Sequence, residues 1–160
     1  MKTFVLTVSE FFPKTHSKAG QPTGFPLAIK HYEKLHTIRG NYDLWAKRFE
    51  KIDKGEAELS VRVWMGVPYK SKQKEIFRYN SSLEIGVEKL TFEEMIMTTE
   101  EVITTKSKEG IHLWKPNISD CLELAQNDGL SLEDFQEWFS IYDLSKEMAI
   151  IHFTDFRYCH

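Results

Sequence analysis

The sequence predicts one α+β domain, a small β-barrel of five or six short strands with two or three flanking helices. Three observations predict it. Period-two segments recur along the chain, as in residues 57–65, where Leu59, Val61 and Val63 alternate with Glu58, Ser60, Arg62 and Trp64. Helical spacing is confined to a few short blocks, the strongest being Leu44, Trp45, Phe49 and Ile52. The chain has 160 residues, 41% of them hydrophobic and 13% aromatic, enough for one core rich in large rings.

In chain order, residues 4–8 are β-branched and aromatic and predict the first strand. Pro13, Gly20, Pro22, Gly24 and Pro26 exclude regular structure and predict a long loop over 13–26. Such a loop in a small domain commonly covers a site. A short helix over 27–33 follows. Asn41 is the N-cap of the main helix, and Gly55 stands where its C-terminal cap belongs. After the strand at 57–65, Gly66-Val67-Pro68-Tyr69 predicts a turn. Lys70, Lys72 and Lys74 then alternate with Ser71 and Gln73, so an extended backbone places three amines on one face.

Further strands are expected at 76–79 and 83–87, with others at 95–99 and 102–105. The polar run 104–110 predicts a hairpin tip, and 119–126 a short helix. Ser131, with an acidic residue three positions later, is close to a capping box. Its helix would bury Phe135, Trp138 and Phe139. Residues 148–156 predict a closing strand.

The net charge of −3 conceals an asymmetry. Residues 1–80 carry 15 Lys and Arg against 8 Asp and Glu, whereas residues 81–160 carry 6 against 16. This excludes a chain basic over its whole surface. It leaves either one basic face for an anionic ligand or two halves that neutralise each other. No apolar run has the length of a signal-peptide core or a membrane span, so a cytoplasmic protein without membrane attachment is expected. Cys121 and Cys159 have neither metal-ligand nor redox spacing and are expected to be free thiols. The six histidines show no ligand spacing either, and no metal or cofactor is expected.

The densest chemistry lies in Lys34-Leu35-His36-Thr37-Ile38-Arg39. If extended, these residues put Lys34, His36 and Ile38 on one face and Leu35, Thr37 and Arg39 on the other. A bend at Lys34 is needed to bring its amine to Thr37. The hexapeptide resembles the Lys-x-x-Thr-x-Arg signature of ASCH domains, members of the PUA-like β-barrel superfamily. The likeness continues through Gly55-Glu56, the next strand and residues 64–69. It resumes at Asp128-Gly129-Leu130-Ser131 and the Phe135-x-x-Trp138-Phe139 helix. Residues 25–90 and 120–156 are covered; the loop at about 13–26 and the stretch at about 91–118 look like variable additions to a domain spanning 1–160.

The resemblance implies a bent barrel with helices at its open side and a cleft that binds RNA or a nucleotide. One bacterial branch of the family hydrolyses N4-acetylcytidine with a Lys, a Thr three residues later and a downstream Glu. Carried over, these imply Lys34 as base, Thr37 as nucleophile and Asp128 as the carboxylate, with Asp in place of Glu. The family's Gly two residues before the lysine is Tyr32 here, which implies a different turn into the lysine.

Amide hydrolysis needs a nucleophile, a base to activate it and an acid for the leaving amine. Thr37 serves only if Lys34 is neutral, and a free lysine has a pKa of about 10.4. Burial or the Arg39 cation would lower it, whereas pairing with Asp128 would raise it. The residues leave both directions open, as they leave Asp128 either an acid or a group orienting Lys34. His36 is an alternative base. Arg39 suits a phosphate or carbonyl through its fork of donors.

Trp64 and Tyr69 flank a turn and are candidates for lining the cleft, or for core. Lys70, Lys72 and Lys74, with Tyr69 and Arg78, either contact an RNA backbone or keep an edge strand soluble. The leading expectation is a binder of RNA or of a nucleotide- or nucleoside-sized ligand, such as a modified nucleoside, in a cleft beside Lys34, Thr37 and Arg39. An N-acylated pyrimidine nucleoside amidohydrolase is the second, and a protein-interaction module the third.

Overall fold

The computed structural model describes residues 1–92, 105–107, 110–113 and 118–158. Eight strands and four helices follow in the order β1 (Lys2–Thr7), α1 (Phe25–Lys30), β2 (His36–Gly40), α2 (Tyr42–Asp53), β3 (Ala57–Trp64), β4 (Gln73–Tyr79), β5 (Gly86–Phe92), β6 (Thr105–Ser107), β7 (Gly110–Leu113), α3 (Ile118–Asn127), α4 (Leu132–Phe139) and β8 (Met148–His152). The class is α+β. A three-stranded sheet runs β1-β3-β4 and a five-stranded sheet β2-β8-β5-β7-β6, and among the described residues no strand pairing joins the two. No helix among these residues is long and apolar enough to cross a membrane.

Strand β8 lies between β2 and β5 and is buried along its whole length. Its side chains alternate between two apolar clusters. Met148 and Ile150 pack with Ile38, Leu90, Leu124 and Phe135. Ala149 and Ile151 pack on the opposite side with Leu6, Trp45, Leu59 and Val61. A strand covered on both faces has a continuous apolar run in place of alternation.

Local signals set the helix boundaries. Asn41 caps α2, its side chain accepting from the Leu44 amide at 3.2 Å. Ser131 caps α4 by accepting from the Asp134 amide at 3.1 Å. Helix α1 begins at Phe25, earlier than the predicted 27, because Pro26 in the first turn is compatible with a helix start.

That helix stops before Glu33 because Tyr32 takes a left-handed conformation, φ 59°. This is the conformation glycine adopts most cheaply. The turn into Lys34 therefore keeps a glycine-like geometry with a tyrosine in it. The strand expected from 83 begins at Gly86, since Asn80 caps a turn, its side chain accepting from the Ser82 amide at 2.9 Å.

Of the three alternating lysines only Lys74 is in a strand. Lys70 and Lys72 belong to a turn closed by Met65 N donating to Lys72 O at 2.8 Å and Ser71 N to Val67 O at 3.1 Å. The closing strand ends at His152. The expected hairpin near 104–110 corresponds to β6 and β7, which pair antiparallel; its residues 108–109 lie outside the described residues. So do the expected strand at 95–99, most of that at 102–105, Cys159 and the side chain of Cys121.

The loop over 13–24 has no regular element and is folded tightly back on itself, Phe12 N donating to Gln21 O at 2.9 Å and Gly20 N to Phe12 O at 3.2 Å. It is fastened to α4: Ser17 N and Oγ donate to Glu137 at 2.6 and 2.8 Å, and Lys18 Nζ reaches Asp134 Oδ2 at 2.7 Å.

Candidate functional site

The hexapeptide does not run straight out of its helix. After the left-handed Tyr32, Glu33 N and Lys34 N both donate to Ala28 O, at 2.8 and 3.0 Å, and this turn swings Lys34 into the protein. Helix α3 ends one residue before Asp128, and Gly129 follows with φ +82°. A Cβ at Gly129 would stand 3.3 Å from both Cβ and Cδ of Lys34. Glycine thus supplies both the backbone angle that ends α3 and the room for the lysine stem.

Lys34 is 1% exposed. Its Nζ donates to Asp128 Oδ1 at 3.0 Å and to Asp128 O at 2.5 Å, and lies 4.0 Å from the centre of the Phe25 ring. Burial drives the lysine pKa below its ordinary value; Asp128 opposes this without reversing it, and Arg39 adds to the lowering. Burial pushes the Asp128 carboxyl the other way, but Lys34 and His36 outweigh that and hold it below its ordinary value. These two partners favour the carboxylate form of Asp128.

His36 stands behind this pair and is fully buried. Its Nε2 lies 2.6 Å from Tyr158 Oη, which itself accepts from Asn127 Nδ2 at 2.9 Å. The hydroxyl hydrogen of Tyr158 is thus free for His36 Nε2, which assigns the Nδ1–H tautomer. That Nδ1 is 3.4 Å from Asp128 Oδ1, without the alignment of a hydrogen bond. Burial lowers the pKa of His36 and raises that of Tyr158. Deeper still, Glu88 Oε1 lies 2.7 Å from His152 Nε2 and accepts from Tyr158 N at 2.8 Å.

On the other face of β2, Arg39 Nη1 donates to Thr37 Oγ1 at 2.9 Å and to Ile38 O at 2.8 Å, while Nη2 donates to Thr7 O at the end of β1. Lys34, Thr37, Arg39 and Asp128 line one cavity of about 300 Å³. Phe25, Trp138, Tyr69 and Tyr142 add aromatic rings to the same lining. Tyr69 has φ 65°, is 89% exposed and lies in the turn at 65–72.

Of the residues singled out in the sequence, Lys34, Thr37, Arg39, Asp128 and Tyr69 thus share one cavity. His36 does not line it and supports Asp128 from behind. Trp64 is outside as well, its ring 5.2 Å from that of Tyr69. Lys70 and Lys72 are exposed beyond the rim. The sequence reading missed Phe25, which lies beside Pro26, and assigned Trp138 to the core; it is only half-buried. Tyr142, three residues beyond the end of α4, was missed as well.

A second group draws together His16, Asp134 and Glu137, with ligand-type atoms within 4.8 Å of one another. Each is already committed. His16 Nδ1 accepts from Lys18 N at 3.0 Å, so Nε2 carries the hydrogen and points to Asp134 O at 3.2 Å. A metal on Nε2 would have to reverse that tautomer against the Lys18 amide. The cluster is a clasp between the loop and α4.

Comparison with family models, with curated proteins and with solved structures finds no match to this chain.

Proposed function

We propose that this protein is an ASCH-type domain of PUA-like barrel architecture that binds RNA or a nucleotide- or nucleoside-sized ligand in the cavity beside Lys34, Thr37 and Arg39. One observation carries the reading. Lys34 and Asp128, 94 residues apart, are brought onto the same cavity as Thr37 and Arg39, with aromatic rings in its lining. A volume of about 300 Å³ is at the lower end of the range for small-molecule sites. Flat rings together with donors and acceptors match a base, which offers two π-faces and a polar edge. The proposal places the protein in the cytoplasm and requires no metal or cofactor.

The pKa of Lys34 supports a second reading, hydrolysis of an N-acylated pyrimidine nucleoside such as N4-acetylcytidine. A lysine shifted down by burial is closer to serving as a base. The Arg39 guanidinium on Thr37 Oγ1 would stabilise an alkoxide there. Thr37 Oγ would then attack the acyl carbon as its proton passes to neutral Lys34. The resulting ammonium would protonate the departing amine, and water would release the acyl group from Thr37. Asp128, held as a carboxylate, would orient Lys34.

Incubation with ribonucleosides and with N4-acetylcytidine separates the two. Binding without turnover supports the first reading; acetate release abolished by Lys34→Ala and by Thr37→Ala supports the second. Absence of both binding and turnover at high protein concentration would reject the cavity as a nucleoside site.

A further inference from the structure

The hairpin of β3 and β4 runs past the core that it helps to build. Val63 is 5% exposed, whereas Met65 is 67% and Val67 63% exposed. Pairing continues to the end of the strands, with Trp64 opposite Gln73. Met65 N then donates to Lys72 O at 2.8 Å, which sets Met65 beside Lys72. The turn beyond is fastened from within. Ser71 Oγ accepts from Gly66 N at 3.0 Å and donates to Val67 O at 2.9 Å, and Ser71 N donates to the same carbonyl at 3.1 Å. A folded turn therefore holds these apolar side chains out in water. Tyr69 joins them, exposed and in a backbone conformation that is unfavourable for an L-residue.

The charge of this tip is one-sided. Residues 65–74 hold three lysines and no carboxylate. Lys70, Lys72 and Lys74 are exposed, and none has an ion-pair partner among the described residues. Glu75, the next acid along the chain, is already engaged by Arg78 Nη2 at 2.7 Å and by Ser60 Oγ.

We infer that the tip at 65–72 docks on an anionic phospholipid surface. Met65, Val67 and Tyr69 enter the headgroup layer, while Lys70, Lys72 and Lys74 meet the lipid phosphates. Exposed apolar area and unpaired cations on one turn are the two components of interfacial binding, and an anionic bilayer satisfies both. An RNA strand would meet the lysines and stack on Tyr69, but it has no aliphatic layer for Met65 and Val67. The contact is peripheral and requires no spanning segment. Because the whole chain carries a net charge of −3, attraction is confined to the tip, which orients the molecule on the surface. The inference goes beyond the nucleoside reading and does not depend on what fills the cavity.

Cosedimentation with phosphatidylcholine vesicles, with and without phosphatidylglycerol, tests it. Binding is expected to the anionic vesicles alone and should weaken with added salt. Replacing Lys70, Lys72 and Lys74 by glutamine should weaken it about 100-fold. Met65→Ser combined with Val67→Ser should weaken it about tenfold or more. None of these five residues lines the cavity, and all are exposed, so an unchanged melting temperature verifies the fold of each variant. Tyr69 is left in place because it does line the cavity. In Val67→Trp, the added indole should be quenched by lipids brominated in their acyl chains.

No binding to anionic vesicles would overturn the inference. So would binding that falls with the lysines but is indifferent to Met65→Ser and Val67→Ser, with no quenching of the added indole, since that is charge attraction without insertion. Vesicles left unbound, with a short oligoribonucleotide bound and released by the lysine replacements, would assign the tip to RNA instead.

Discussion

Lys34 Nζ lies 3.0 Å from Asp128 Oδ1, and both side chains are almost fully buried. Such a pair contributes little net stability, yet breaking it strands a charge, at a cost of about 3–5 kcal/mol. Asp128→Ala is therefore expected to lower unfolding free energy by about that amount. Lys34→Met combined with Asp128→Ala should recover most of it. Urea denaturation measures both; a double variant no more stable than Asp128→Ala would show that the lysine is not the stranded charge.

Tyr32 offers a prediction of opposite sign. An L-residue in the left-handed region costs about 1–2 kcal/mol, and the ring is 75% exposed and has little packing to lose. Part of the gain on substitution is offset by the greater freedom of glycine in the unfolded chain. Tyr32→Gly should stabilise the protein by about 0.5–1 kcal/mol. A lower melting temperature would mean that the ring holds the turn in place.

Acid sensitivity follows from His152. Burial depresses its pKa from 6.5 to about 4, against the pull of Glu88 and with His36 and Arg157 adding to the depression. The unfolded chain takes up a proton near pH 6.5 while the folded one resists until about 4. The contribution is therefore complete above pH 6.5 and is lost as pH falls from 6.5 toward 4. The loss is on the order of 3 kcal/mol. Asp128, also depressed, extends the decline to lower pH. His152→Gln should flatten the stability curve between pH 6.5 and 4, and an unchanged slope would exclude His152 as its source.

The clasp between the first loop and α4 is open to proteolysis. Glu137 accepts both Ser17 contacts and lies 3.4 Å from His16 Nε2. Glu137→Ala should speed tryptic cleavage after Lys18 several-fold while leaving global unfolding within about 1 kcal/mol, because opening there is local. An unaltered cleavage rate would show that Lys18 and Asp134 suffice to hold the loop.

How much of this was legible in the sequence depends on how far apart the cause and the effect lie. Asn41 and Ser131 were readable as caps because a cap is settled within four residues. Leu59, Val61 and Val63 were readable because one face of β3 is core while Glu58, Arg62 and Trp64 on the other are only partly buried. The α+β class followed from such local signals, whereas the sheet order did not. β8 pairs with β2 and with β5, and those partners depend on the whole chain.

Lys34 reads as an exposed charge in any window of sequence; only Asp128 and Phe25 explain its burial. Lys70 and Lys72 failed in the opposite way. Their alternation mimics a strand, but Tyr69 turns the backbone left-handed and folds them into a loop. The approach of Gly129 to the lysine stem left no local trace beyond the glycine itself.

The pairing of β2 with β8 also bears on how the protein is made. His36 and Tyr158, joined by a hydrogen bond at the back of the site, are 122 residues apart. At a synthesis rate of about 5–20 residues per second, roughly 6–25 s pass between their emergence from the ribosome. For most of that interval β2 lacks its strand partner, and Lys34 lacks its carboxylate until Asp128 emerges 94 residues after it. Chains halted before β8 thus carry Lys34, Thr37, Arg39 and Asp128 without the strand that pairs with β2.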